Sequence, residues 1–215
     1  MLGINARPKV AKVLAPVVTR LARSGVTPDM VTLTGTLGSI AAAVFGIGTG
    51  HLLWGAVAVT LFVLLDMLDG ALARARGGGS LFGAVLDSTG DRASDAAIFA
   101  SLAWWFSGRG DNRLLVLLAL ICLVLGVLTS YVKARAEGVG LSADVGIVER
   151  TERLILVLVG TGLSGLGVPY AMHVALWLLL VGSAITVGQR FVAVRRAGRR
   201  PLPAPDPVPP TPPAP

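Results

Sequence analysis

Apolar residues run through this chain in long blocks separated by short polar breaks. Blocks long enough to cross a bilayer as helices, about 20 residues each, fall near residues 29–49, 52–75, 80–107, 113–136, 151–168 and 170–196. The fifth, RLILVLVGTGLSGLGV, is short and rich in Gly. Ahead of them, residues 7–23 (RPKVAKVLAPVVTRLAR) carry a helical period. Val10, Val13, Leu14, Val17, Val18 and Leu21 make one face, flanked by Lys9, Lys12, Arg20 and Arg23. That pattern predicts a helix lying in the interface on anionic headgroups. Thr27 is placed to cap the next helix, with Pro28 at its first position. The closing PLPAPDPVPPTPPAP is too rich in Pro for helix or sheet. The expectation is an all-α integral membrane protein in three parts: an interfacial amphipathic helix (1–26), a six-helix transmembrane domain (27–198) and a disordered Pro-rich tail (199–215).

Composition agrees with this pattern. The 215 residues are 53% hydrophobic and only 14% charged, where soluble domains carry roughly 25% charged residues. The net charge of +7 raises the question of nucleic acid, but its distribution answers it. With the N-terminus inside, sixteen of the nineteen basic residues fall in cytoplasmic regions and two, Arg109 and Arg113, outside; Arg92 lies within a span. This is the positive-inside pattern, and no nucleic-acid partner is expected. Both termini then face the cytoplasm. The first thirty residues have no compact apolar run with a cleavage site, so no secretory signal is expected. The single Cys122, inside an apolar run, reads as a small buried hydrophobe. Sixteen Arg against three Lys suggest a GC-rich coding sequence, a hint of bacterial origin and no more; the expected location is a bacterial cell membrane.

One polar stretch breaks the oily pattern: DMLDGALARARGGGSLFGAVLDSTGD, residues 66–91. An ionised carboxylate in a bilayer costs several kcal/mol, yet Asp66, Asp69, Asp87 and Asp91 sit at the facing ends of the second and third spans. Helical spacing puts Asp69, Gly70, Ala73 and Arg74 on the face of Asp66, and Asp87, Asp91 and Asp95 on the face of Gly83. Joined by a short ARGGGS turn, the two helices are expected to be antiparallel neighbours. Gly70, Ala73 and Gly83 leave their facing surfaces bare for a backbone or a ligand. Four carboxylates brought together require cations between them. Hard divalent ions, shared with substrate phosphates, meet that requirement and suit displacement at phosphorus. Arg74 is placed for a second phosphate, and Ser80 caps a helix N-terminus suited to an anion. Asp95, one turn deeper, is expected to pair with Arg92 or to act structurally.

Written as a pattern, residues 66–91 are D-x2-D-G-x2-A-R-x8-G-x3-D-x3-D, with Asp66, Asp69, Gly70, Ala73, Arg74, Gly83, Asp87 and Asp91 at its fixed positions. This resembles the signature of the CDP-alcohol phosphatidyltransferase family, and the six-span layout extends the resemblance over all but the tail. The resemblance implies transfer of a phosphatidyl group from CDP-diacylglycerol to an alcohol with release of CMP. It implies two Mg²⁺ ions, with Mn²⁺ as a substitute, one on Asp66, Asp69 and Asp87 and one on Asp66, Asp87 and Asp91. Asp91 would also be the catalytic base toward the attacking hydroxyl. Gly70, Arg74, Ser80 and Gly83 would hold the nucleotide lipid. The segment Asp29, Met30, Val31 and Thr32 resembles the family's TPN-x-x-T element near the nucleotide, with Asp29 replacing Asn and so lacking its amide donor. A homodimer is implied as well.

The acceptor side is basic. Ser130, Lys133 and Arg135 close the fourth span, Arg153 opens the fifth, and Arg190 lies near the inner end of the sixth. Positive-inside placement explains part of this set, but Lys133, Arg153 and Arg190 stand close to apolar helix bodies and are expected to bind an anionic acceptor. The stretch SYVKARAEGVGLSADVGIVERTERL, residues 130–154, resembles actinobacterial members of the family whose acceptor is inositol phosphate (1D-myo-inositol 3-phosphate). Glycerol 3-phosphate is the alternative. A reading from another class, a cation- or proton-coupled transporter, is disfavoured: no pair of broken helices recurs in both halves, and the aspartates gather at one face, away from the midplane. A structural membrane scaffold would leave the carboxylates unexplained.

Overall fold

Six long helices carry the computed structural model, which describes residue 20 and residues 25–199. The expected interfacial helix, apart from Arg20, and the Pro-rich tail beyond Arg199 lie outside the described residues. Helix α1, Pro28–Ala42, starts where Thr27 accepts a hydrogen bond from the Met30 amide, with Pro28 in the first turn. It ends in a π-helical turn, Ala43–Ile47. Helix α2 spans Leu52–Ala75, α3 Leu81–Ser107, α4 Arg113–Glu137, α5 Arg150–Gly165 and α6 Ala171–Ala197. The Ser80 hydroxyl caps α3 by accepting from the Gly83 amide at 2.8 Å. Asn112 does the same for α4 through the Leu115 amide at 3.1 Å. Between α2 and α3, Gly77 and Gly78 adopt φ of 95° and 132°, a region that residues with a Cβ seldom enter.

Four of these helices are long and apolar enough to cross a membrane: α1 with its π turn (Pro28–Ile47), α2, α4 and α6. At 1.5 Å per residue, the 24 residues of α2 exceed the roughly 30 Å of a hydrocarbon core. Large apolar side chains such as Phe45, Trp54 and Trp104, each more than 70% exposed, cover the outside, which suits a lipid environment rather than water.

The helices close a ring in space. Helix α1 packs on α2 and α3, α3 on α4, α4 on α6, α6 on α5, and α5 back on α2. The main core lies inside this ring, built from Phe99, Leu102, Leu118, Val157, Leu176 and Leu179 among others. Cys122 is buried there as a small hydrophobe, its thiol toward the Leu176 carbonyl. A second, smaller cluster of Val31, Leu68 and Leu72 joins α1 to α2 beside the carboxylates.

Consecutive α2 and α3 are not closely packed neighbours; each packs against α1 instead. This corrects the expectation that α2 and α3 are antiparallel neighbours. Of the two roles expected for their small residues, approach of a backbone or of a ligand, the first does not hold between these helices. Gly83 faces Asp29 of α1, and Gly70 lies beside Arg74 of its own helix. The tight approach occurs between α1 and α2. A Cβ on Gly35 would stand 3.0 Å from the Asp66 Cβ, so Gly35 is what lets α1 lie against the first aspartate.

Candidate active site

One end of the ring gathers the polar residues. The C-terminal parts of α2, α4 and α6 meet there with the N-terminal parts of α1, α3 and α5. Asp66 and Asp69 come from α2 and Asp87 from α3, and each offers a carboxylate oxygen within 4.8 Å of the others. All three are half-buried. Asp66 Oδ1 is buried and accepts no hydrogen bond, an expensive state for a carboxylate unless a cation completes it. Asp69 is oriented on both sides: the Thr32 hydroxyl donates to its Oδ2 at 2.5 Å, and the Gly70 amide donates to its Oδ1. An oxygen-only donor set with one orphaned oxygen fits a hard divalent cation such as Mg²⁺ or Mn²⁺.

Asp91 sits one turn beyond Asp87 with its side chain 14% exposed. Its Oδ1 lies 2.8 Å from Nη1 of Arg150, but off the hydrogen-bonding direction, so the carboxylate has a charge partner and an unfilled lone pair. Arg92 stands 3.6 Å from the other oxygen and donates to the Ser88 carbonyl. Asp95 is buried and takes its partners from α5: Arg153 Nη2 donates to its Oδ2 at 2.5 Å, and Arg150 Nε approaches Oδ1 at 3.5 Å. Of the two expected roles of Asp95, the geometry favours the structural one, a link from α3 to α5, over a pair with Arg92.

Arg150 is the residue that sequence reasoning counted only as a cytoplasmic charge. It stands three positions before Arg153 in ERTER, the spacing that puts two side chains on one helix face. That spacing was the available signal. The residues it reaches, Asp91 and Asp95, become visible only once α5 is docked.

At the start of α3, Gly83 has no side chain between the Asp29 carboxylate and the Ser80 hydroxyl, which converge on it. The Arg74 guanidinium lies beside Gly70. Met30 is exposed, whereas Val31 is buried against Leu68 and Leu72. Thr32 is also buried and commits its hydroxyl to Asp69 and the Pro28 carbonyl. These two side chains therefore shape the site from behind.

On the opposite side, Arg153 and Arg190 meet at Thr129. Arg153 Nη1 lies 3.4 Å from the Thr129 hydroxyl, and Arg190 Nη1 donates to the Thr129 carbonyl. Both arginines are buried, Arg153 against Gly126. Arg190 also donates through Nε to the Val145 carbonyl at 2.9 Å and lies 3.5 Å from Glu149. Lys133, one turn after Thr129, pairs with Asp144 at 2.6 Å, and this ammonium holds the Asp144 carboxyl below the ordinary carboxylate range. Ser130 is half-buried, and Arg135 is exposed, two residues from Lys133 and so on another face of α4.

Fold and site together define an all-α membrane protein with a carboxylate cluster of the kind that holds divalent cations, walled on one side by arginine and lysine. The chain belongs to the CDP-alcohol phosphatidyltransferase family, whose model matches residues 25–188. It is 52% identical over 196 residues to the phosphatidylinositol phosphate synthase of Mycobacteroides abscessus, covering 91% of this chain and 89% of that one. The synthase of Corynebacterium glutamicum is 47% identical over 203 residues, at 94% and 91% coverage. Among solved structures, the Mycobacterium tuberculosis phosphatidylinositol phosphate synthase with CDP-DAG bound superposes with a TM-score of 0.82 at 50% identity, covering 85% of this chain and 94% of that one. The same enzyme in complex with manganese and citrate gives a TM-score of 0.82, also at 50% identity, with 86% and 90% covered.

Proposed function

We propose that this chain transfers the phosphatidyl group of CDP-diacylglycerol to inositol phosphate (1D-myo-inositol 3-phosphate), giving phosphatidylinositol phosphate and CMP. The observation that carries this reading is the meeting of Asp66, Asp69 and Asp87 around an orphaned oxygen, with Asp91 between them and the arginines of α5. The names of the relatives, with about half of all residues identical over nearly the whole chain, support the choice of acceptor.

In this reading Asp66, Asp69 and Asp87 hold one divalent cation and Asp66, Asp87 and Asp91 a second, Mg²⁺ with Mn²⁺ able to substitute. Bound there, the cations neutralise the pyrophosphate oxygens and make CMP a better leaving group. Thr32 and the Gly70 amide hold Asp69 in its ligating orientation, the kind of outer support that metal carboxylates require. Asp29, Gly70, Arg74, Ser80 and Gly83 bind the nucleotide end of the donor. Lys133, Arg153 and Arg190 bind the acceptor phosphate, with Ser130 and Arg135 at the rim.

Asp91 takes the proton of the attacking hydroxyl. That oxygen bonds to the phosphorus of the phosphatidyl group as the bond from that phosphorus to CMP breaks. A carboxylate with a free lone pair beside the reacting phosphorus is suited to accept that proton. The acid product is relieved of its charge toward Arg150, which remains paired through Asp95.

The remaining layout follows the same reading. Helices α3 and α5 complete six transmembrane segments, residues 1–26 form the interfacial helix, and 199–215 form a flexible tail. The active site faces the cytoplasm of a bacterial cell, where the donor enters from the inner leaflet and the acceptor from water. The enzyme works as a homodimer.

Acceptor identity is tested by offering the purified protein equal concentrations of inositol phosphate and glycerol 3-phosphate with CDP-diacylglycerol and Mg²⁺, and weighing the lipid products by mass spectrometry. Phosphatidylinositol phosphate is expected as the main product. A predominance of phosphatidylglycerol phosphate would assign glycerol 3-phosphate, the alternative drawn from the same basic set, as the acceptor.

A further inference from the structure

The segment between α4 and α5 brings its own anion to the acceptor side. Its backbone is fixed at several points around Asp144. Ala143 is buried at 1% exposure, the Val145 carbonyl accepts from Arg190 Nε, and the Val148 amide donates to the buried Thr186 hydroxyl at 3.0 Å. Gly146, at φ 150°, lies against Thr186 with no room for a side chain. Asp144 is thus held between anchors that place its carboxylate 2.6 Å from the Lys133 ammonium. The pair itself is open to water, Asp144 with a side chain 69% exposed and Lys133 with 35%. A salt bridge so exposed is weak and readily exchanged.

We propose that Asp144 is an internal competitor for the acceptor phosphate: its carboxylate occupies Lys133 until a phosphate monoester displaces it. The proposal rests on the reading that Lys133 binds that phosphate. Near neutral pH a phosphate monoester carries between one and two negative charges and three acceptor oxygens, against one charge and two oxygens for Asp144. The incoming group therefore displaces the carboxylate from Lys133, whereas a neutral polyol cannot. Arg153 and Arg190 behave differently. Both hold the buried Thr129, and Arg153 also the buried Asp95. They keep those contacts as the rigid wall of the pocket, although the Glu149 partner of Arg190 is 52% exposed. Lys133 makes no such buried contact among the described residues, and its exposed partner is free to leave.

Occupation of Lys133 by Asp144 in most molecules reduces apparent acceptor affinity in proportion to the fraction left free. Asp144→Asn is therefore expected to lower the KM for inositol phosphate about two- to fivefold. It should lower the inhibition constant of inorganic phosphate by the same factor, leaving the KM for CDP-diacylglycerol as in the wild type. Asp144→Glu, which keeps the charge, should hold the acceptor KM near the wild-type value. In a Lys133→Ala background, where acceptor KM is raised, Asp144→Asn should change nothing further.

An unchanged or raised acceptor KM in Asp144→Asn, alongside a raised KM in Lys133→Ala, would overturn the competitor role and leave Lys133 as a phosphate ligand. An equal gain from Asp144→Asn with and without Lys133 would overturn it in favour of a general field effect. A wild-type acceptor KM in Lys133→Ala would remove Lys133 from the pocket and the proposal with it.

Discussion

Asp91→Asn is expected to lower phosphatidyl transfer by about three orders of magnitude, within the 10²–10⁴ range of a lost general base, while metal-dependent binding of CDP-diacylglycerol survives. The amide keeps the size of the side chain and one oxygen for a cation, but it cannot accept the hydroxyl proton. Asp91 combines an unfilled lone pair with a charge partner from α5; Asp95 shares both features but is tied to Arg153 and lies one turn further from Asp66 and Asp69. The nucleotide contacts proposed for Asp29, Gly70, Arg74, Ser80 and Gly83 do not involve Asp91, so they should persist. Single-turnover rates and equilibrium binding of the donor, measured on the same preparation, separate the two effects. A variant with wild-type turnover would remove Asp91 as the base.

Arg153→Ala should act on both stability and catalysis. Arg153 and Asp95 are a buried pair, with side chains 3% and 9% exposed. Removing Arg153 leaves the buried Asp95 with only the longer contact to Arg150 at 3.5 Å, a loss below the roughly 3–5 kcal/mol of a fully orphaned buried charge. The variant should therefore unfold at lower temperature in detergent and show a higher KM for the acceptor. Lys133→Ala makes the informative contrast, because its salt bridge is exposed: acceptor KM should rise with unfolding temperature unchanged. Wild-type stability in Arg153→Ala would contradict the role given to the α3–α5 link.

These two residues show what sequence made legible. Spacing within one helix is local physics, so Asp66 and Asp69, or Asp87 and Asp91, could be placed on common faces before any fold was known. The ends of the long helices were equally legible, because Thr27, Ser80, Pro28 and the glycines of the 76–80 turn act on their immediate neighbours. Partners across helices were not. Asp95 looked four residues or fewer along its own helix for a charge, to Arg92, whereas ring closure delivers Arg150 and Arg153 from 55 and 58 positions away. The short connection from α2 to α3 suggested close packing, yet each helix packs against α1 instead. Thr32 gave no sign of serving Asp69, since a lone Thr in a helix more often bonds its own backbone. The anchoring of Asp144 depends on Arg190 and Thr186 from α6, a pairing that no local pattern encodes.

Metal-dependent release of CMP is the most direct test of the carboxylate site. Purified protein in liposomes containing CDP-diacylglycerol should release CMP when both Mg²⁺ and inositol phosphate are supplied, with release stopped by a chelator and restored by Mg²⁺ or Mn²⁺. No CMP with any phosphorylated polyol, or release indifferent to the chelator, would contradict a carboxylate-held cation site built for phosphatidyl transfer.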